Sequence, residues 1–208
     1  MRRNFYSVQL VFTVSLILFS AFPLFAQTAP AAREGGLPLS IGAGMSSTDT
    51  DYINYTTASR PGYRMQGITV WADYALPSIR FVPRGFSLEA EGKTIRYGIP
   101  ENYSRMREET ALGGILYTWR HYRDFHPYVK GLMGVGSGDI QRTGYGNQDA
   151  QQTLMAYALG GGVEYRAFRH LWIRGEYELQ TWLDLTNQTS MNPQGLTVGV
   201  MYNFRRLR

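Results

Sequence analysis

The feature that most constrains this chain is a period-two alternation of apolar and polar residues, which recurs after residue 36 in eight runs. Each run is about 9 to 12 residues long, whereas strands in globular proteins average about 5–6 residues. A strand that crosses a bilayer at a tilt of about 45° needs about 9–11 residues. We therefore predict an all-β fold, an eight-stranded antiparallel up-and-down transmembrane β-barrel, over residues 37–204.

The connections between these runs alternate between long and short. The long ones are predicted at 46–66, 98–109, 136–153 and 181–195, and the short ones at 75–85, 120–126 and 166–170. Outer-membrane barrels carry long loops outside the cell and tight turns in the periplasm. Because the strand number is even, both ends of the barrel are expected on the periplasmic side.

The segments before and after the barrel have their own patterns. Basic residues, a long apolar run and Ala26 at its exit predict a secretory signal peptide over 1–26. An uncleaved anchor helix is the alternative interpretation. We predict a linker over 27–36 and a basic tail over 205–208.

Composition restricts the classes of function. The chain contains no cysteine, which excludes a disulfide scaffold and a thiolate metal site. The formal net charge of +5 comes from scattered basic residues, so we expect no nucleic-acid partner. The 15 Tyr, 10 Phe and 4 Trp fit a lipid-facing wall with aromatic girdles at the membrane interfaces.

The parity of each run assigns its side chains to the lipid or to the interior. Apolar residues take the lipid-facing parity, and aromatic residues near the periplasmic ends should form a girdle there. The predicted girdle residues are Tyr74, Phe86, Tyr117, Trp119, Tyr165, Tyr202 and Phe204. Trp182 and Tyr97 are candidates for a second girdle at the outer interface.

The opposite parity carries charged residues, which we predict to form an interior polar network. Its members are Glu89, Glu91, Lys93, Lys130, Glu164, Arg174, Glu176 and Glu178. A charge inside a narrow barrel needs a partner, because leaving it desolvated costs several kcal/mol. We therefore predict a plugged interior without a continuous pore, and a proton or ion path through the barrel is the alternative.

The last strand carries a resemblance to a known family. The segment 197–204 reads Thr-Val-Gly-Val-Met-Tyr-Asn-Phe. With the signal peptide and the eight runs, it resembles the outer-membrane β-barrel family of OmpA and OmpX type, over about residues 37–204. The resemblance implies location in the outer membrane, with its lipid and lipopolysaccharide as partners. We expect no separate peptidoglycan-binding domain after the barrel, so a wall-anchoring role is not implied.

The resemblance also implies a role for the end of that strand. In this family, an alternating last strand that ends in an aromatic residue is the signal read by the barrel assembly machinery. Tyr202 and Phe204 match that pattern, and four residues, 205–208, extend beyond it.

Binding to an extracellular ligand is expected in the outer loops, since function concentrates on loops held by a rigid scaffold. Their tyrosines, with Asn, Ser and Gly, suit adaptable recognition. The binding candidates are Tyr52, Tyr55, Arg60, Tyr63, Arg142 and Tyr145. We therefore predict a structural or surface-interaction role.

Catalytic patterns are weak. The three histidines, His121, His126 and His170, fall in predicted periplasmic turns without metal-ligand spacing and without a nearby serine. We therefore expect no enzyme activity, metal or cofactor. Three alternatives stay open: an outer-leaflet lipid-modifying enzyme, a narrow ion-conducting barrel and a soluble eight-stranded ligand carrier.

Overall fold

A computed structural model describes residues 36–50, 63–77, 84–98, 103–119, 124–142, 150–183 and 190–205. Its strands are β1 Gly36–Thr50, β2 Tyr63–Ala75, β3 Phe86–Tyr97, β4 Tyr103–Thr118, β5 Phe125–Arg142, β6 Ala150–Arg166, β7 Leu171–Leu183, β8 Ser190–Met191 and β9 Gln194–Arg205. Among these residues, no helix is long and apolar enough to cross a bilayer.

The strands form one closed antiparallel sheet. Each strand from β1 to β7 pairs with the next one along the chain, and β9 lies between β7 and β1. The two-residue β8 pairs with β7 in the same register as β9, with Trp182 opposite Met191, so it continues β9 beyond a two-residue interruption. The described part of the chain therefore contains eight long strands, and the prediction of an eight-stranded up-and-down barrel is confirmed.

Most strands are longer than predicted, reaching 18 residues in β5, whereas β3 and β9 have 12 residues each. They extend past the predicted loop boundaries at the end opposite to the two termini, and the link between β3 and β4 shrinks to 98–102. At that end the outward face carries exposed polar residues such as Gln66, Arg96 and Arg107, so pairing continues there without apolar alternation. As a correction, Tyr63 begins β2 and Arg142 ends β5, so neither lies in a loop.

The barrel boundaries differ slightly from the prediction. β1 begins at Gly36 and β9 ends at Arg205, one residue outside the predicted range at each end. Arg205 is therefore a strand residue and not part of the tail. The predicted signal peptide and the rest of the linker lie outside the described residues.

The two faces of the sheet carry opposite chemistry. Outward aliphatic side chains such as Val70, Ile115 and Val198 are about half exposed, at 50%, 53% and 53%. Inward side chains are buried and mostly polar or charged. A soluble ligand carrier would bury its apolar face inside, so that alternative is wrong.

Three small apolar clusters also lie among the buried residues. They comprise Leu112, Leu132, Ala156, Ala158 and Trp182; Met65, Ile95 and Met106; and Trp71, Trp172 and Met201. Inward glycines allow the walls to approach closely. A Cβ atom on Gly114 would collide with the carbonyl oxygen of Gly131 on β5, so the narrow interior admits no side chain there.

Candidate functional site

The centre of the interior is organised around the ammonium group of Lys130 on β5. Its Nζ lies 3.0 Å from Glu89, 2.7 Å from Glu176 and 2.8 Å from Glu178, and it also contacts Glu91. The Lys130 side chain has no exposed surface. Because residues two apart on a strand share a face, β3 and β7 each supply a pair of glutamates to this one cation.

Arg174 on β7 extends the network toward the end of the barrel that carries the termini. Its guanidinium lies 3.3 Å from Asp73, 2.7 Å from Glu89 and 2.7 Å from Glu176. Its Nε donates to the Tyr128 hydroxyl at 2.6 Å, and that hydroxyl donates to Glu176 at 2.5 Å. A planar guanidinium can serve several acceptors at once, which lets Arg174 link β7 to three other strands, β2, β3 and β5.

Lys93 on β3 extends the network toward the opposite, outer end. Its Nζ lies 2.5 Å from Glu178 and 3.4 Å from Glu91. Gln180 donates to Glu178 at 2.7 Å and accepts from the Trp182 indole at 2.7 Å. The polar chain therefore runs along the barrel axis and ends at a buried indole.

The structure places all eight predicted network residues inside the barrel, each at most 8% exposed. Seven of them are joined through the three cations, Lys93, Lys130 and Arg174. Glu164, on β6, is buried directly opposite Arg174 in the β6–β7 register.

Among the ionisable residues that the structure describes as buried, sequence reasoning missed three: Asp73, Glu108 and Tyr128. Asp73 and Tyr128 stand at inward parity on β2 and β5, so the alternation contained the signal that would have found them. Glu108 lies in a segment predicted as a loop, where no parity was assigned.

Buried acids outnumber buried bases in the described interior. The acids are Asp73, Glu89, Glu91, Glu108, Glu164, Glu176 and Glu178, and the bases are Lys93, Lys130 and Arg174. Oxygen atoms of Glu89, Glu91 and Glu176 lie within 4.8 Å of one another, close enough to surround a cation. The Lys130 ammonium contacts all three carboxylates, so this chain's own side chain takes the position of that cation.

The predicted girdle residues lie near the ends of their strands, on the side of the barrel that carries the termini. Ring centroids are 4.9 Å apart for Phe86 and Tyr117, and 4.9 Å apart for Tyr117 and Trp119. Tyr202 and Phe204 are 4.8 Å apart. The other two predicted members, Tyr74 and Tyr165, are exposed on the same outward face.

The outer girdle differs from the prediction. Tyr97 is 58% exposed at the outer end of β3, whereas Trp182 is only 1% exposed and packs inside the barrel. Trp182 shares the inward parity of Glu178 and Gln180 on β7. Parity, not the preference of tryptophan for interfaces, decides its position.

The remaining candidates are only partly described. Tyr52, Tyr55, Arg60, Tyr145 and His121 lie outside the described residues. The His126 ring lies 4.8 Å from the Trp172 ring. His170 stacks on Tyr202 at 5.6 Å, and its Nδ1 lies 3.0 Å from the carbonyl oxygen of Asn203.

Comparisons with known proteins agree with this geometry. A family model described as an outer membrane protein beta-barrel domain matches residues 15–204. A search of curated proteins finds no match. The crystal structure of Neisserial surface protein A aligns with a TM-score of 0.63 at 13% identity, covering 82% of this chain and 100% of that one. The crystal structure of Ail, the attachment invasion locus protein of Yersinia pestis, aligns with a TM-score of 0.52 at 16% identity, covering 79% of this chain and 97% of that one.

Proposed function

The chain belongs to the outer membrane protein β-barrel family, and from this premise we propose that it is a non-enzymatic scaffold that presents extracellular loops to a partner outside the cell. The protein lies in the outer membrane. The observation that carries the proposal is the filled, ion-paired interior, which favours a rigid support over a conduit. Function on such a support is expected in the loops.

The interior ties opposite walls of the barrel together. Lys130 on β5 contacts carboxylates from both β3 and β7, and Arg174 on β7 contacts Asp73 on β2. Opening a path along the axis would separate these charges from their partners inside a narrow lumen, which costs several kcal/mol per ion. We therefore expect no steady ionic conductance from the native barrel.

The names of two structural relatives are consistent with the surface role that we propose. One is called a surface protein and the other an attachment invasion locus protein. At 13% and 16% identity these likenesses concern the fold alone. The attachment role proposed for this chain therefore needs its own test.

Two further partners belong to the proposal. Outer-membrane lipid and lipopolysaccharide would cover the outward wall, where apolar side chains are exposed between the two ends of the barrel. The barrel assembly machinery would read the end of β9, where Tyr202 and Phe204 are 47% and 43% exposed. Both aromatic rings are accessible for such a contact.

A loop-replacement experiment tests the binding role. Residues 51–62 and 143–149 would each be replaced by a short Gly-Ser linker in the full chain, displayed on a Gram-negative host. Binding of the cells to immobilised fibronectin, laminin and collagen would be measured. We expect wild-type cells to bind at least one of them, and the loop variants to lose about tenfold or more of that binding.

The matched control replaces residues 78–83, which connect two strands at the opposite end of the barrel. Heat-dependent gel migration would verify that every variant still forms a barrel. Binding that survives both outer replacements, or wild-type cells that bind none of the three proteins, would contradict adhesion to matrix proteins. Planar-bilayer recordings with steady open channels would contradict the plugged interior separately.

A further inference from the structure

A small cavity lies inside the barrel, near its outer end. It has a volume of about 10 Å³ and is lined by Thr48, Lys93, Ile95, Glu108, Thr110, Gln180 and Trp182. A cavity needs roughly 10–15 Å³ to hold one water molecule, and that water needs two to four polar partners.

Three oxygen atoms around this cavity lack a partner among the described residues. They are Glu108 Oε1, Thr48 Oγ1 and Thr110 Oγ1, and each belongs to a buried side chain. Glu108 itself is 3% exposed. A buried carboxylate oxygen without a hydrogen bond costs more than a neutral one, and it can only accept, so Glu108 Oε1 points to a ligand that donates a hydrogen bond.

Lys93 supplies the complementary charge. It lines the same cavity, and its ammonium group already contacts Glu178 and Glu91. An ammonium group carries three N–H donors, so one donor is left for the cavity side. A metal cation in this cavity would lie beside that positive charge, whereas a water molecule can accept from Lys93 and donate to Glu108.

We propose that this cavity holds one ordered water molecule, which bridges the Lys93 ammonium to the Glu108 carboxylate and the hydroxyl groups of Thr48 and Thr110. The bridge brings Glu108 into the interior network. It links β1, β3 and β4 through a single solvent molecule. A water-mediated hydrogen bond is nearly as favourable in enthalpy as a direct one, so the bridge stabilises the outer end of the barrel.

A crystal structure of the full-length barrel at high resolution tests the proposal, with crystals soaked in Rb⁺ salt as the probe for a cation. We expect one density peak within hydrogen-bond distance of the three oxygen atoms and of Lys93 Nζ, without an anomalous signal. An anomalous peak would show that a monovalent cation occupies the cavity instead of a water molecule, and would overturn the proposal. A cavity without density would overturn the proposal.

Solution measurements give a second readout. Thr110→Val removes one partner of the water at nearly constant volume, and Thr153→Val, at an exposed position on β6, is the matched control. In nanodiscs we expect water-to-protein magnetisation transfer at Thr48 and Ile95 in the wild type, and a loss of at least about half of it in Thr110→Val. Equal transfer in the wild type and Thr110→Val, or no transfer in the wild type, would contradict the bridge.

Discussion

The two faces of β7 obey opposite rules. On the inward face Arg174 and Glu176 are 2% and 3% exposed and are joined by an ion pair of 2.7 Å. On the outward face Ile173 and Tyr177, their immediate neighbours in the chain, are 42% and 49% exposed. The inward face is stabilised by paired charges and close fit, and the outward face by the absence of charge. A register shift of one residue would exchange the two faces completely.

The largest effect is expected from removing the central cation of the inward face. Lys130→Met leaves four buried carboxylates around a neutral side chain. Breaking a buried ion pair on one side typically costs about 3–5 kcal/mol, so we expect a loss of that size in the free energy of unfolding. Urea unfolding in phospholipid vesicles, followed by tryptophan fluorescence, measures it.

The matched control relieves part of the charge repulsion in the same background. Adding Glu89→Gln and Glu178→Gln to Lys130→Met removes two of the repelling carboxylates, and we expect the triple variant to regain more than half of the lost free energy. A Lys130→Met protein within about 1 kcal/mol of wild type would show that the pairs are not a principal source of stability.

A smaller effect is expected from adding a charge to the outward face. Val198 lies midway along β9 between Gln194 and Tyr202, and it faces lipid. An arginine at the bilayer midplane of a barrel costs about 2–4 kcal/mol, and near the interface about 0–1 kcal/mol. We therefore expect Val198→Arg to destabilise the barrel and Gln194→Arg to have little effect in the same unfolding assay. Equal costs would place Val198 outside the hydrocarbon.

The smallest effect is expected from adding a methyl group where two strands approach closely. Gly113 and Gly114 are neighbours on β4 that face opposite ways. A Cβ on Gly114 would collide with the backbone of β5, whereas one on Gly113 would lie 3.7 Å from its nearest neighbour, the Glu89 carbonyl oxygen. Overpacking typically costs about 1–3 kcal/mol, so we expect that loss for Gly114→Ala. Gly113→Ala should leave the free energy of unfolding unchanged. If Gly113→Ala lowered the urea midpoint of unfolding more than Gly114→Ala, the assignment of these two residues to opposite faces would be refuted.

Much of the inward face could be predicted from the sequence, because period-two alternation fixes which side each residue takes once a strand is recognised. Lys130 and Arg174 were assigned to the interior on parity alone, and their neighbours Val129 and Ile173 to the lipid. What parity cannot give is the partner of each charge. That depends on how far neighbouring strands are offset, and the sequence does not state the offset.

The outer ends of the strands were harder to predict. Glu108 and Tyr63 lie in the outer parts of their strands, where the outward face carries polar residues such as Arg64 and Arg107, so the apolar alternation that reveals a strand is missing. Trp182 was misassigned for another reason. The general preference of tryptophan for interfaces was given more weight than the parity of β7, although the parity was unbroken as far as Gln180.

The Lys130 hub also bears on the order in which the barrel is assembled. Glu89 and Glu91 precede this lysine by 41 and 39 residues, while Glu176 and Glu178 arrive only with β7. A sheet that lacks β7 would therefore expose these incompletely paired charges to hydrocarbon. On insertion scales, each charge at the centre of the bilayer costs about 2.5–3.5 kcal/mol. We expect entry into the bilayer and closure of the ring to be a single coupled event, which follows once β7 has brought its two glutamates to the ammonium group and β9 has joined β7 to β1.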